Sequence, residues 1–296
     1  VEEEWTVERA KQWVVGYTEE LKHFGEMYMN GENLDDLKKC VDYAAKLKIA
    51  SAYMHLMTWS GRYHPVDKDI YSLNPKLFPN GRSDFKELSD YAKKKGVRLA
   101  MRTLSNAISL QNPTYVSKKT DSRLSSFWRG TLQKEINPKA KVLVIKSDKT
   151  LPTSYGMGVN KTKPAATNST FKFLQVDDEI IKYDGYVDNK DGTVTIKSGK
   201  RSTRGFGFTE ATSHQAGAPV KLLAGDFNDK VTGDHDSTLV DEIAGQYADF
   251  NNEMQLLTSN FDGLRIYTVL TAYGENKFVG GVYNKLDHYT SCTTSN

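Results

Sequence analysis

Polar and aromatic side chains stand at the ends of three predicted strands. In a fold of alternating strands and helices, the carboxyl ends of parallel strands meet at one edge of the sheet, where binding and catalytic residues gather. The residues concerned are Tyr53, His55, Trp59 and His64 at the first end, Arg102 and Asn106 at the second, and Arg265, Tyr267 and Tyr273 at the third. Aromatic rings can stack on the faces of a sugar, and Arg is the natural partner of a carboxylate or sulfate. This combination suits a carbohydrate, including an acidic one.

The same residue types are those that β-elimination at a uronic acid requires. Arg102 would neutralise the substrate carboxylate, Tyr267 would transfer the proton and His55 would assist. The other residues, predicted to bind the substrate, are Trp59, Tyr53, His64, Arg265, Asn106 and Tyr273. Structural interpretations stay open beside these roles. His55 would be a hydrogen-bonded core histidine, Trp59 would cap the core, and Arg102 would pair with Asp84 or Asp262.

Several classes of protein are disfavoured by composition and motif. Lys and Arg total 40 against 37 Asp and Glu and are spread along the chain, which does not indicate a nucleic-acid partner. No apolar run approaches the roughly 20 residues that span a bilayer. The spacing of His214, His235 and His288 fits no metal motif, and no phosphate-binding loop or nucleophile elbow occurs. We therefore expect no metal and no cofactor, and a polysaccharide or oligosaccharide as the partner.

The elements that would position these residues alternate between helix and strand. Apolar residues recur at helical spacing from Leu34 to Leu47 with Asn33 as N-cap, and residues 49–59 form an apolar run typical of a buried strand. A second helix is predicted around Phe85–Ala92, closed by Gly96, and a strand follows at 97–104. This alternation predicts a parallel sheet with helices.

Between residues 138 and 230 the pattern changes to short strands separated by Gly, Asn and Asp turns, which predicts an inserted antiparallel β domain. Helical and strand patterns resume in 231–296, with Ser237 as N-cap. The prediction is an α/β protein built on a (β/α)8 TIM-like barrel, its first part in 1–137 and its continuation in 231–296. Without the insertion about 200 residues remain, near the lower limit for such a barrel, so we expect the chain to be part of a longer protein.

Three phrases of the sequence resemble bacterial carbohydrate-active (β/α)8-barrel proteins with a β insertion after the third strand: TWSGRYHP, FPNGRSDFKELSDYAKKKGVRLAMRTLSN and STRGFGFTEATSHQAGAPVKLL. The resemblance implies cleavage of glycosidic bonds in a polysaccharide by a carboxylate on the strand after the insertion. The expected pattern there is close to Phe-Asp-Gly-Ile-Tyr-Phe-Asp-Gly. Here Tyr267 replaces the second Asp, and Asp262 is expected near the start of the strand, in a structural role.

Three functions therefore stay open after the sequence is considered. The first is a glycoside hydrolase acting on a polysaccharide, expected to be anionic, and it is placed ahead by the resemblance alone. The second is a polysaccharide lyase, and the third is a glycan-binding barrel without catalysis. The first residues, VEEEWTVERAKQW, lack the features of a signal peptide. A mature exported protein whose signal peptide has been removed would begin in the same way. Together with the resemblance, this predicts a periplasmic or secreted bacterial protein.

Overall fold

The computed structural model describes residues 25–60, 73–104, 107–149, 173–197, 203–224, 230–262 and 273–295. Two sheets dominate the described chain, one parallel and one antiparallel. The strands of the parallel sheet, in spatial order, are β1 (Glu26–Tyr28), β2 (Ser51–Met54), β3 (Arg98–Leu104), β13 (Thr258–Asp262) and β14 (Ser291–Ser295). All neighbouring pairs among them are parallel.

Five helices lie in the described part of the chain. They are α1 (Leu34–Lys46), α2 (Leu56–Trp59), α3 (Arg82–Lys94), α4 (Thr238–Met254) and α5 (Gly274–Tyr283). Side-chain caps set two of their starts as predicted: Asn33 accepts from the Asp36 amide at 3.0 Å, and Ser237 accepts from the Leu239 amide at 3.2 Å. Gly96, at φ +73°, follows the end of α3, where a left-handed conformation is needed. No described helix is long and apolar enough to cross a membrane.

The two faces of the parallel sheet differ in character because side chains alternate along each strand. Met54, Leu99, Met101 and Phe261 lie on one face and share a core with the helices. The opposite face, which we call the polar face, carries side chains of a different kind, namely Glu26, Tyr28, Tyr53, Arg98, Arg102, Asn260 and Asp262. The helices therefore cover the apolar face, and the polar face is available for chemistry.

The antiparallel sheet has seven strands and a second core. Its spatial order is β8 (Glu179–Lys182), β7 (Phe173–Val176), β11 (Pro219–Leu223), β5 (Ser126–Leu132), β6 (Val142–Lys146), β10 (Thr193–Lys197) and β9 (Gly185–Asp188). Trp128, Leu143, Val194 and Leu222 are among the residues of the core. A two-stranded ribbon of β4 (Ala107–Ser109) and β12 (Lys230–Thr232) joins the two sheets.

The structure changes the predicted boundaries. The antiparallel sheet begins at Ser126 and not at 138. Gly130 weakens the strand pattern of the sequence, yet β5 needs it, because a Cβ there would lie 2.6 Å from the carbonyl oxygen of Lys146. The predicted strand 49–59 is shorter than expected and gives way to α2. A mixed α/β fold with a parallel sheet is confirmed. The described strands do not close a barrel, so the full (β/α)8 barrel stays a prediction.

Candidate functional site

An arginine and a carboxylate meet at the carboxyl edge of the parallel sheet. The Arg102 guanidinium donates to Asp262 Oδ2 from Nε at 3.1 Å and from Nη2 at 2.5 Å. Asp262 is the last described residue of β13 and pairs in register with Leu104, the last residue of β3. The two side chains are partly buried. The edge predicted for chemistry therefore holds an oriented carboxylate.

The sequence predicts one strand over residues 260–270, with Asp262 near its start and in a structural role. β13 is described from Thr258 to Asp262 and the residues that follow lie outside the described part of the chain, so this expectation stays a prediction. The register places Asp262 level with Leu104, three residues beyond the Met54–Met101 pair at which β2 ends, and hence toward the carboxyl edge of the sheet. Pairing of Arg102 with Asp262, one of the two structural partners considered, is what the structure shows. Asp84, the other, instead accepts from the Asn80 amide at 2.7 Å.

Trp59 contacts the backbone of Arg102 from the core. Its ring is 3% exposed and belongs to the core shared by the helices and the parallel sheet. Its Nε1 donates to the carbonyl oxygen of Arg102 at 2.7 Å. A ring buried this deeply favours the interpretation of Trp59 as a cap on the core. Stacking of Trp59 on a sugar stays a prediction.

His55 caps the short helix α2. Its Nδ1 accepts from the Met57 amide at 3.3 Å. A neutral imidazole that uses Nδ1 as an acceptor carries its proton on Nε2, so Nε2 is then a donor. The assisting role expected of His55 stays a prediction.

Two tyrosines lie beside the Arg102–Asp262 pair on the polar face. Tyr28 ends β1 and is in register with Tyr53 on β2, and their ring centroids are 4.8 Å apart. Tyr53 is buried, whereas Tyr28 is 65% exposed. Burial raises the pKa of Tyr53 to about 12, with Tyr28 and the carboxylates of Glu26 and Asp262 adding to the rise and Arg102 opposing it. The Tyr53 hydroxyl therefore stays protonated at neutral pH.

Tyr273, another predicted substrate-binding residue, lies just before α5. Its hydroxyl donates to Asp236 Oδ1, and its ring is exposed. Nearby, Lys277 donates to the carbonyl oxygen of His235 at 2.6 Å. His235 is buried, and this burial lowers its pKa to about 4, so its imidazole is neutral at physiological pH.

Four of the predicted site residues lie outside the described residues: His64, Asn106, Arg265 and Tyr267. Their roles remain predictions. The structure brings two further residues to the edge. The sequence gives Asp262 only a structural role, because the strand pattern over 260–270 places it near the start of that strand. For Tyr28 the signal was only the three-residue β1, which is too short to give a periodic pattern.

A second cluster of charges lies away from this edge, in the antiparallel sheet. Glu179 accepts from Arg204 Nε at 2.6 Å and from Nη2 at 2.8 Å, and His214 lies between Glu179 and Asp177 at 2.8 and 2.7 Å. We call it the Glu179 cluster. Within the described residues no group of three or more His, Cys, Asp and Glu side chains could hold a metal ion. All acceptor sites of Glu179 face protein donors, which is typical of a structural cluster.

Comparison with known proteins gives structural neighbours only. No protein-family model matches the chain, and no curated protein matches it. Similar solved structures include a trehalulose synthase MutB mutant (13% identity, 91% of this chain, 44% of that chain, TM-score 0.49), a MutB mutant in complex with the substrate sucrose (13%, 93%, 45%, 0.49) and the isomaltulose synthase from Erwinia rhapontici NX5 (13%, 82%, 34%, 0.43). The chain spans less than half the length of these structures. At these values the comparison assigns the chain to no family.

Proposed function

We propose that this chain acts on a carbohydrate and breaks a glycosidic bond by hydrolysis at the carboxyl edge of its parallel sheet. The observation that supports the proposal is Asp262, a carboxylate on the polar face of β13 that Arg102 holds by two hydrogen bonds. Canonical glycoside hydrolysis uses two carboxylates, one as general acid and one as nucleophile or base. Asp262 supplies one of them. We expect the other from the residues that follow the strands, where Asp67, Asp69 and Glu275 stand in the sequence.

Each neighbour of Asp262 has a part in this chemistry. Arg102 fixes the direction of the carboxylate, which favours attack because the reacting atoms must be aligned. Trp59 anchors the backbone of Arg102 through the carbonyl oxygen. The protonated hydroxyl of Tyr53 and Nε2 of His55 supply donors for sugar hydroxyls. The polar face thus combines the Asp262 carboxylate with hydrogen-bond donors on β2 and just after it.

The lyase hypothesis receives less support from this geometry. In that mechanism Arg102 must neutralise a substrate carboxylate, but its guanidinium already donates to Asp262. His55 would abstract a proton, but its Nδ1 lone pair accepts the Met57 amide. Tyr267, the proposed proton-transfer residue, is still a prediction. The lyase and the non-catalytic binding protein are therefore outcomes of the test and not the favoured function.

The test is incubation of the protein with neutral and acidic polysaccharides while reducing ends and ultraviolet absorbance are followed together. Hydrolysis predicts new reducing ends at constant absorbance, and Asp262→Asn should lower kcat by about 1,000-fold. Asp90→Asn is the control, because Asp90 is an exposed carboxylate on α3 that pairs with Lys86. A rise in absorbance would mean an unsaturated uronate and hence a lyase. Binding without either signal would identify a glycan-binding protein.

A further inference from the structure

The exposed ring of Tyr28 is the feature of the polar face that the proposed chemistry does not use. Tyr28 lies at the carboxyl end of β1, and its ring is 65% exposed, while Tyr53 beneath it is 5% exposed. Paired residues on neighbouring parallel strands point to the same face, so the two rings lie together on the polar face in a tilted contact with an interplanar angle of 58°, and Tyr28 is the exposed member. A supported aromatic surface of this kind at a functional edge is typical of a binding site.

This surface is continuous with the Arg102–Asp262 pair. β2, which carries Tyr53, lies between β1, which carries Tyr28, and β3, which carries Arg102, so Tyr53 stands between Tyr28 and the pair on the polar face. A ligand that covers the outer ring of Tyr28 therefore extends toward Asp262. The supporting hydroxyl of Tyr53 is protonated and offers a donor, and Glu26 on the same face offers an acceptor.

The charges on this face select the kind of sugar. The groups that act on the Tyr53 hydroxyl include two carboxylates, Glu26 and Asp262, and one guanidinium, Arg102, which is already bound to Asp262. Arg98, the other cation among the described strand residues of this face, donates to the carbonyl oxygens of Gln255 and Leu256. A uronate or sulfate here would add negative charge beside two carboxylates while both cations are engaged. Like charges in such proximity are unfavourable.

We propose that Tyr28, supported by Tyr53, forms a stacking subsite for a neutral pyranose ring of the glycan that is cleaved at Asp262. The proposal rests on the proposed function and refines it, because it replaces the anionic substrate expected from the sequence with a neutral one. The apolar face of the pyranose covers the outer ring of Tyr28, and its hydroxyls contact the hydroxyl of Tyr53 and the carboxylate of Glu26.

The experiment measures affinity for oligosaccharides of one length by titration calorimetry, with Asp262→Asn as the background so that no turnover occurs. The neutral probes are maltohexaose, cellohexaose and laminarihexaose, and the acidic probes are hexagalacturonate and a hyaluronan hexasaccharide. We expect a neutral probe to bind most tightly. Tyr28→Ala should weaken that binding about tenfold, and Tyr28→Phe should leave it within about twofold, since the ring is kept.

The matched control is Tyr43→Ala. Tyr43 is 60% exposed, like Tyr28, but lies on α1, among the helices that cover the apolar face, so its removal should not change affinity. Circular dichroism of each variant verifies folding, which an exposed ring on an edge strand should not affect.

Two results would overturn the subsite: unchanged affinity of Tyr28→Ala, or an acidic probe as the tightest ligand. If either occurs while the protein without substitutions still hydrolyses a glycan, the subsite fails and the proposed function stands. If a neutral probe binds through Tyr28 but is never cleaved, the subsite stands and hydrolysis fails. Absence of binding to every probe would overturn the subsite, and the reducing-end assay then decides hydrolysis separately.

Discussion

Arg102 has both of its functional groups engaged. Its guanidinium donates to Asp262, and its carbonyl oxygen accepts from Trp59. A side chain held in this way acts as a fixed support and not as a mobile cation that meets a substrate. The role that the residue type alone suggested, charge neutralisation, therefore changes once the partner is known. The partner lies 160 residues away in the sequence, so no local pattern shows the pairing.

Replacement of Arg102 by Gln should separate orientation of Asp262 from folding. Because the pair is partly exposed, we expect the free energy of unfolding to fall by only about 1 kcal/mol. The loss of alignment should lower kcat by about 10- to 100-fold with little change in KM. Urea denaturation and steady-state kinetics measure the two effects. Arg82→Gln is the control, since Arg82 pairs with Glu253 on the helices, and an unchanged kcat for Arg102→Gln would contradict the orienting role.

Substitution of Trp59 should act on stability and not on ligand affinity. Trp59→Phe removes the hydrogen bond to Arg102 and should cost about 1 kcal/mol of unfolding free energy. Trp59→Ala also opens a cavity in the core and should cost about 3 to 5 kcal/mol. Urea denaturation gives both values. A large loss of oligosaccharide affinity in a Trp59→Phe variant of normal stability would contradict this expectation and support the predicted stacking role.

Individual elements show where local sequence information suffices. The starts of α1 and α4 follow from Asn33 and Ser237, because an N-cap is a local interaction. The strand at 97–104 and the segments that became β6, β10 and β11 were also predicted, since they are apolar and bounded by turn residues. β1 and β5 were missed. Each of these strands is stabilised by a contact with the neighbouring strand: Tyr28 with Tyr53 for β1, and the close approach of Gly130 to Lys146 for β5. Contacts between distant residues leave no periodic pattern in the sequence.

The Glu179 cluster joins three parts of the antiparallel sheet, and we expect it to make stability depend on pH. Burial alone would raise the pKa of Glu179, but the bonds from Arg204, His214 and two backbone amides outweigh it and lower the pKa to about 2. Burial would lower the pKa of His214, but its bonds to Glu179 and Asp177 raise it above 6.5. The cluster is therefore complete when Glu179 is ionised and His214 is protonated.

Stability from the cluster should be greatest between about pH 4.5 and 6.5. Below pH 4.5 the contribution of Glu179, about 3 kcal/mol, is lost as pH falls toward 2, because the unfolded state binds the proton more readily. Above pH 6.5 the contribution of His214 is lost as pH rises through its raised pKa. Urea denaturation at a series of pH values measures both losses of stability. His214→Gln should abolish the loss above pH 6.5. Glu210→Gln removes only an exposed ion pair with Lys118 and should change neither loss.

At the level of the whole molecule, the antiparallel sheet is fixed to the rest of the chain through the loop that follows Thr203. Phe206 of this loop packs against the core shared by the helices and the parallel sheet. Gly207, at φ +71°, approaches Leu110 so closely that a Cβ would lie 2.1 Å from its carbonyl oxygen. The side chains of the proposed sugar site and those that hold the insertion are therefore on different parts of one connected structure.

Gly207→Ala tests this attachment. Strain from the positive φ alone would lower the free energy of unfolding by about 1 to 2 kcal/mol. The substitution also adds a clash with the backbone, so we expect the free energy of unfolding to fall by about 3 kcal/mol or more. Gly217→Ala is the matched control, because Gly217 also has a positive φ of +85° but nothing within 4 Å of an added Cβ. Thermal and urea denaturation of both variants measure the difference. Equal losses would show that the contact with Leu110 is not needed.

The two ends of the insertion are hydrogen-bonded to each other, and this has a consequence for the order of folding. Lys221 donates to the carbonyl oxygen of Ser122, 99 residues earlier, and Ala224 donates to that of Ser125. If the insertion folds first, the loop that must close to pair β3 with β13 shrinks from 160 residues to about 60, which lowers the entropic cost by about 1 kcal/mol. The segment least involved in the chemistry would then act as the nucleus on which Arg102 meets Asp262, and slow folding of the insertion would delay the appearance of the site.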